Sequence, residues 1–250
     1  MVDHDSQELA TESYLGEIQK RGVRVLRYSG PFNYSAINNL AIGQASGQVI
    51  GLLNNDIKVI HADWLREMVS QALRPEIGAV GAKLYFMDGT IQHAGVVTGL
   101  GGVAGHLHQF LPKDQGGNFN DVNLVREVSA VTAACMVLKK SVYDEVGGLD
   151  QEQLAVAFND VDLCLKIRAK GYRILWTPFA ELYHLESATR GLDLAPEKAE
   201  RFRRECEVMR QRWGAALTAD PFYNPNLTLD NARGGPAFPP RVERLWKTVG

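Results

Sequence analysis

Strand-like and helix-like segments alternate through the first third of this chain, and that alternation limits the fold more than any other feature. Residues 7–20 read as a helix, with Leu9, Tyr14, Leu15 and Ile18 apolar and Gly22 as its stop. Residues 23–26 read as a short strand, 35–45 as a helix stopped at Gly47, and 49–53 as a strand. A helix over 62–73 is closed before Pro75. Residues 77–86 then read as a strand, with Asp88-Gly89 as a hairpin signal. Strands separated by helices argue for an α/β sheet that is at least partly parallel.

The strand 49–53 ends abruptly at Asn54-Asn55-Asp56. In open parallel sheets, ligands bind outside the carboxyl ends of the strands. Two amides and a carboxylate there offer oxygen ligands to a hard cation such as Mg²⁺ or Mn²⁺. The same triplet is also good turn chemistry, because these side chains bond their own backbone.

The second half keeps the alternation after one interruption. Residues 99–123 are glycine-rich, carry two histidines and read as a long mobile loop, either a lid over a site or a surface excursion. Residues 127–138 read as a strand rich in small residues, and 141–146 as a short helix stopped by Gly147-Gly148. Residues 159–170 read as a helix with Asn159 as N-cap, Asp162 in the capping-box position and Gly171 at C′. A strand over 172–176 is closed by Pro178. A charged amphipathic helix covers 196–213, and from Asp220 onward a Pro- and Asn-dense tail lies over the domain or trails away. The expected division is 1–194 for the main domain and 195–250 for the helix and tail.

Composition narrows the class. A formal net charge of −2 implies no broad basic face and no nucleic-acid partner. Cys135, Cys164 and Cys206 are dispersed, form no disulfide framework and suit a reducing compartment. The acidic, polar start is not a signal peptide. No apolar run reaches the roughly 18–20 residues of a membrane span. The expected location is the cytoplasm, extending to the inner membrane surface.

Three further constellations carry chemistry. Phe158-Asn159-Asp160-Val161-Asp162 opens a helix, where carboxylates gain roughly 0.3–1 kcal/mol each from the helix dipole. That explains Asn159 and Asp162 well and Asp160 less specifically. Aimed into a cleft, Asp160 could accept a proton from a hydroxyl nucleophile. His184 follows a strand and a Pro-containing turn, where a sheet presents side chains to a ligand, and imidazole is a common metal ligand. A satisfied structural histidine is the plainer alternative. Val131-Thr132-Ala133-Ala134-Cys135 is small enough for close approach of either a ligand or a packed helix.

Taken in order, these motifs resemble the family 2 glycosyltransferases, inverting enzymes of the GT-A fold. Val2-Asp3-His4-Asp5-Ser6 is similar to the end of the family's second strand, and Asn38-Asn39-Leu40-Ala41-Ile42 to the helix after its third. Leu53-Asn54-Asn55-Asp56 stands in the place of the DXD motif. Val131–Cys135 resembles the strand V-T-G-A-C. Gly147-Gly148-Leu149-Asp150 and Asn159-Asp160-Val161-Asp162-Leu163-Cys164 resemble G-G-F-D-E…E-D-V-D-L-C. The stretch from His184-Leu185-Glu186-Ser187 through Arg190-Gly191, Arg212-Trp213, Asp220-Pro221, Tyr223–Leu227 and Pro240-Arg241 resembles a bacterial surface-polysaccharide and rhamnosyltransferase-like subgroup, often multidomain. Asn54 departs from the first Asp of DXD, and Asn159 from the usual Glu. The match begins at the family's second strand, so the resemblance implies an N-terminally truncated domain.

The resemblance implies a GT-A-like, Rossmann-type mixed and mostly parallel sheet flanked by helices. It implies transfer of a sugar from a nucleoside diphosphate sugar, UDP- or dTDP-linked, to a hydroxyl of a saccharide or lipid-linked saccharide, with inversion. Asp160 is then the base. Asp56 and His184 hold Mg²⁺ or Mn²⁺, Asp3 reads the nucleobase, and Asn39, Asn54 and Asn55 contact the donor. Peripheral membrane association and homo-oligomerisation stay open. So do two other classes, an incomplete non-catalytic transferase module of a longer protein and a nucleotidyltransferase-like enzyme.

Overall fold

A computed structural model describes residues 1–185 and 196–242. In chain order its elements are β1 (Val2–His4), α1 (Leu9–Lys20), β2 (Leu26–Tyr28), α2 (Tyr34–Gly43), β3 (Val49–Leu53), β4 (Ile57–Val59), α3 (Trp64–Ala72) and β5 (Ile77–Tyr85). They continue with β6 (Ile91–His93), β7 (Val96–Thr98), β8 (Ala104–His106), β9 (Arg126–Glu127), β10 (Cys135–Lys139), α4 (Lys140–Glu145), α5 (Asn159–Ala169), β11 (Arg173–His184) and α6 (Pro196–Trp213).

The main sheet runs β3-β10-β5-β11-β4, with β6 on β5 and β9 on β11. Strands β3, β5 and β11 point one way and β10 runs against them. The sheet is therefore mixed, as expected, but "mostly parallel" needs correction. With β10 interposed, β3 and β5 are joined through antiparallel ladders, and β5·β11 is the parallel pair of this sheet. Strands β1 and β2 pair in parallel as a separate sheet.

β5 is buried along its whole length, because helices cover both faces. Met68 and Ala72 of α3 pack on Val80, Ala82 and Leu84. On the other face, α5 and α6 contribute Leu163, Ile167, Cys206 and Met209 to the larger core with Ala79 and Trp176. The helix set apart in sequence at residue 195 thus completes the main core. A strand covered on both faces carries a near-continuous apolar run, as residues 77–85 do. Gly81 has a packing reason of its own: a Cβ there would lie 2.4 Å from Val131 Cβ. Its absence lets the 131–134 segment lie flat on the sheet.

β3 and β4 stand at opposite ends of the ladder yet are joined by Asn54, Asn55 and Asp56 alone. Four Cα steps reach at most about 15 Å, whereas a flat ladder with four strand spacings spans about 19 Å. The sheet must curl, and the connection that closes it is the Asn-Asn-Asp turn.

Four local expectations are corrected. Residues 99–123 are built into the fold: Leu100, Val103, Leu107 and Val122 are buried, and Gly101 N and His108 N donate to Leu229 O and Ala232 O of the tail. The tail lies over the domain, with Tyr223 packed among Val97, Leu100 and Leu107. The strand expected over 127–138 is split into β9 and β10 around the 128–134 segment. Pro178 does not end its strand, because β11 continues to His184 through a register shift between Trp176 and Glu181. Finally, Phe158 and not Asn159 is the N-cap of α5, at φ +60°.

Candidate active site

The curled sheet brings the strand-end residues together. His184, the last residue of β11, pairs with Ile57 next to the turn, and Leu185 N donates to Asp56 O at 2.9 Å. Its Nδ1 lies 2.7 Å from Gln92 Oε1. A carboxamide oxygen only accepts, so Nδ1 carries the ring proton in this pairing. Nε2 is then an electron-pair donor. It lies 3.2 Å from Asn54 Nδ2 and 3.1 Å from Asp56 Oδ1.

That last contact is unusual. Asp56 Oδ1 is a buried oxygen without a hydrogen-bond donor, facing His184 Nε2. Asp162 Oδ2 is also buried without a hydrogen bond, but the Lys166 ammonium stands 3.2 Å away and answers its charge. At Asp56 no Lys or Arg takes that place among the described residues, and the contact is His184 Nε2. Two neighbouring ligands of an octahedral Mg²⁺, each at about 2.1 Å, lie about 3.0 Å apart, close to the observed spacing. Among the described residues no three His, Cys, Asp or Glu gather as a complete metal cage. Asp56 and His184 could give a divalent ion one carboxylate and one imidazole, short of a full protein cage.

From this cluster a chain of contacts leads to Asp160. Tyr34 OH donates to Asn54 Oδ1 (3.3 Å) and to Ala133 O (3.1 Å). Ala133 N donates to Asp160 Oδ2 at 3.0 Å, and Val161 N to Asp160 Oδ1 at 2.8 Å. Backbone amides thus orient the carboxylate from both sides. Asp162, two residues on, serves the fold instead. It is fully buried, and Arg212 Nη1 and Trp213 Nε1 donate to its Oδ1 at 2.8 and 2.9 Å. The capping-box role expected for it is corrected accordingly: its carboxylate ties α6 to α5.

Of the residues singled out from sequence, Asn54, Asp56, His184, Asp160 and the 131–134 segment meet in one region. Asn55 is exposed in the turn between Asn54 and Asp56. Asp3 lies on the separate β1·β2 sheet, where hydrogen bonds from Ser6, together with the nearby Arg27 guanidinium, hold its carboxyl below the usual range. Asn39 is not brought to the site. Its amide donates to Leu149 O and Gln151 Oε1, and its oxygen accepts from Leu149 N and Tyr143 OH. It braces the Gly147–Asp150 turn, so the expected donor contact is corrected to a structural one. Glu186, Ser187, Arg190 and Gly191 lie outside the described residues.

Sequence reading missed Tyr34, Gln92 and the pair of buried His93 and half-buried His106, whose Nδ1 atoms are 2.8 Å apart. The Asp88-Gly89 hairpin signal placed a strand at 91–93, but nothing local said that Gln92 would face His184. Burial, with His106, Arg126 and His184 adding to it, pushes the His93 imidazole well below its ordinary range. Burial alone raises the Cys135 thiol to about 12, and burial drives the Cys164 thiol to about 12 as well. All three cysteines are free and buried.

Solved structures define the class. The chain superposes on GalNAc-T7 with UDP, GalNAc and Mn²⁺ at a TM-score of 0.61, 14% identity, 83% of this chain and 41% of that one. It superposes on the mannosyltransferase PcManGT from Pyrobaculum calidifontis, in complex with GDP-Man and Mn²⁺, at 0.55, 16% identity, 84% and 54%. At these identities the likeness is one of fold: the chain has the GT-A-like glycosyltransferase fold. Two relatives are much nearer in sequence. The uncharacterized protein y4gI of Sinorhizobium fredii is 55% identical over 232 residues, 92% of this chain and 26% of that protein. The O-antigen biosynthesis protein RfbC of Myxococcus xanthus is 44% identical over 205 residues, 82% and 16%. The chain therefore spans about a quarter and about a sixth of these relatives' lengths. No family model matches it. Among the described residues no helix is long and apolar enough to cross a membrane.

Proposed function

We propose that this chain is the catalytic domain of a glycosyltransferase that moves a sugar from a nucleoside diphosphate sugar to a hydroxyl acceptor with inversion, in the synthesis of a bacterial surface polysaccharide. The observation that carries the reading is the buried Asp56 oxygen without a hydrogen-bond donor, 3.1 Å from His184 Nε2, in the region that also holds Asp160. The Myxococcus relative's name supports the pathway, and the Mn²⁺ and nucleotide-sugar complexes of the fold neighbours support the donor class.

In this reading Asp56 and His184 hold Mg²⁺ or Mn²⁺, which supplies Lewis-acid neutralisation of the departing diphosphate. Asn54 and Asn55 line the donor diphosphate and ribose, and Asp3 contacts the base. Asp160 accepts the proton of the acceptor hydroxyl as that oxygen bonds to the anomeric carbon. The bond from that carbon to the diphosphate oxygen breaks on the opposite side, and its electron pair leaves with the nucleoside diphosphate. One available carboxylate suits a single displacement. Asp162 is the nearest other carboxylate on α5, and its ion pairs withdraw it from service as a nucleophile.

The test is calorimetric titration with UDP and dTDP, with and without Mn²⁺, on the wild-type chain and on Asp56→Ala. Mn²⁺-dependent binding that weakens in the variant is the expected result. A folded wild-type sample that binds neither nucleotide, or binds equally without metal, overturns the reading.

A further inference from the structure

Where a transferase places its acceptor is not settled by the donor residues, and one cavity outside that site has the chemistry for it. It encloses about 330 Å³ between the 100–109 segment, α6 and the tail, within the range of small-ligand pockets. Two phenyl rings form one side: Phe158 and Phe202, centroids 5.5 Å apart. Leu100, Val103 and Cys206 extend the apolar wall, and Gln109, Arg210 and Asp230 add polar side chains. Among the described residues Arg210 makes no ion pair, although carboxylates are frequent on α6.

Two features connect this cavity to the candidate base. Phe158 is the residue from which α5 starts, two positions before Asp160, and it holds a left-handed backbone conformation that L-residues seldom adopt. The buried Glu205 of α6 secures that turn by accepting from Val156 N and Ala157 N, both at 3.0 Å. The second link runs through the histidines. Thr132 N, beside the amide that binds Asp160, donates to His93 Nε2 at 3.5 Å. His93 then carries its proton on Nδ1 and donates it to His106 Nδ1, on the cavity wall.

Resting on the function proposed above, the geometry points to this cavity as the acceptor saccharide subsite. The Phe158–Phe202 pair would take the apolar face of a pyranose ring, and Gln109, Arg210 and Asp230 its hydroxyls. A few convergent polar groups on an apolar wall are the usual means of fixing a small ligand's orientation. The subsite is built largely by α6 and the tail.

Saturation-transfer NMR with methyl hexosides and methyl 6-deoxyhexosides tests this on the whole chain. At least one glycoside should receive saturation from the wild type. Phe202→Ala and Arg210→Ala should each weaken its apparent affinity about tenfold, equivalent to roughly 1.4 kcal/mol. Both side chains are exposed enough for the variants to fold, and UDP–Mn²⁺ titrations should be unchanged in both. The assignment is overturned if no glycoside is saturated while UDP binds, if saturation survives both substitutions, or if UDP displaces the glycoside. Loss of wild-type UDP binding with glycoside binding retained would instead remove the donor reading and leave a saccharide site.

Discussion

Asn39 and Asn54 belong to two regions that resemble the same family equally well, and the fold uses them in opposite ways. Around Asn39 every polar atom is matched. The amide holds the backbone of Leu149, and Gly148 stands so close that a Cβ would sit 2.9 Å from Asn39 Oδ1. Around Asn54 the partners are side chains, Tyr34 and His184, and the neighbouring Asp56 keeps an oxygen without a donor. A saturated amide stabilises a turn. An unsatisfied buried oxygen costs stability and is retained where a ligand answers it. The two asparagines thus differ in how completely their surroundings are hydrogen-bonded, a difference that the motifs alone do not show.

The sharpest way to break the comparison is through the carboxylates. Asp160→Asn should lower transfer by about 10²–10⁴-fold while leaving UDP–Mn²⁺ affinity unchanged, the usual scale for a lost general base. Single-turnover transfer alongside calorimetry reads both, and wild-type transfer in the variant would remove Asp160 from the chemistry. On the bracing side, Arg212→Ala leaves Asp162 with Lys166 and Trp213 only. We expect urea denaturation to show a loss of about 3 kcal/mol, the lower end for a broken buried pair. A loss under about 1 kcal/mol would mean that α6 is held by its apolar contacts instead.

Asn39→Asp replaces an amide donor with an acceptor facing Leu149 O. It should cost about 1–3 kcal/mol, the penalty for an unmatched buried group, with nucleotide affinity intact in the folded fraction. His93 adds a pH term. The native imidazole stays neutral well below its ordinary 6.5. Beneath that value the unfolded chain binds a proton that the native state does not. Stability is thus complete above pH 6.5 and falls as the pH drops, by up to about 1.4 kcal/mol per unit. A His93→Gln variant should lose that slope between pH 7 and 5.5, and an unchanged slope would assign it elsewhere. The smallest effect is expected from Asn54→Asp: stability within about 1 kcal/mol of wild type, since its partners are movable side chains, with tighter Mn²⁺ binding in calorimetry. Weaker Mn²⁺ binding would show that the asparagine is matched to its site.

Much of the architecture was legible because it is locally punctuated. The strand at Val49–Leu53 and the helix at Pro196–Trp213 fall where periodicity and flanking residues put them. Gly171, at φ +90°, ends α5 as a C′ glycine. Legibility failed where long-range contacts override local chemistry. Asn159 has the composition of an N-cap, yet Glu205 pins the turn before it and moves the cap to Phe158. Asp162 sits in a capping-box position, yet Arg212 and Trp213, about fifty residues on, claim its oxygen. The glycines of 99–123 read as mobility, yet the tail hydrogen-bonds to that segment.

From the sequence alone came most of the element types, the mixed α/β character and the residue kinds that terminate several strands, since side-chain periodicity and capping are properties of neighbours in the chain. Only the tertiary structure decided which of those residues face one another. Asn54 and His184 are 130 positions apart, and their meeting depends on a sheet that curls until its two end strands are joined by three residues. The orphaned Asp56 oxygen exists only once that closure has removed water from around it.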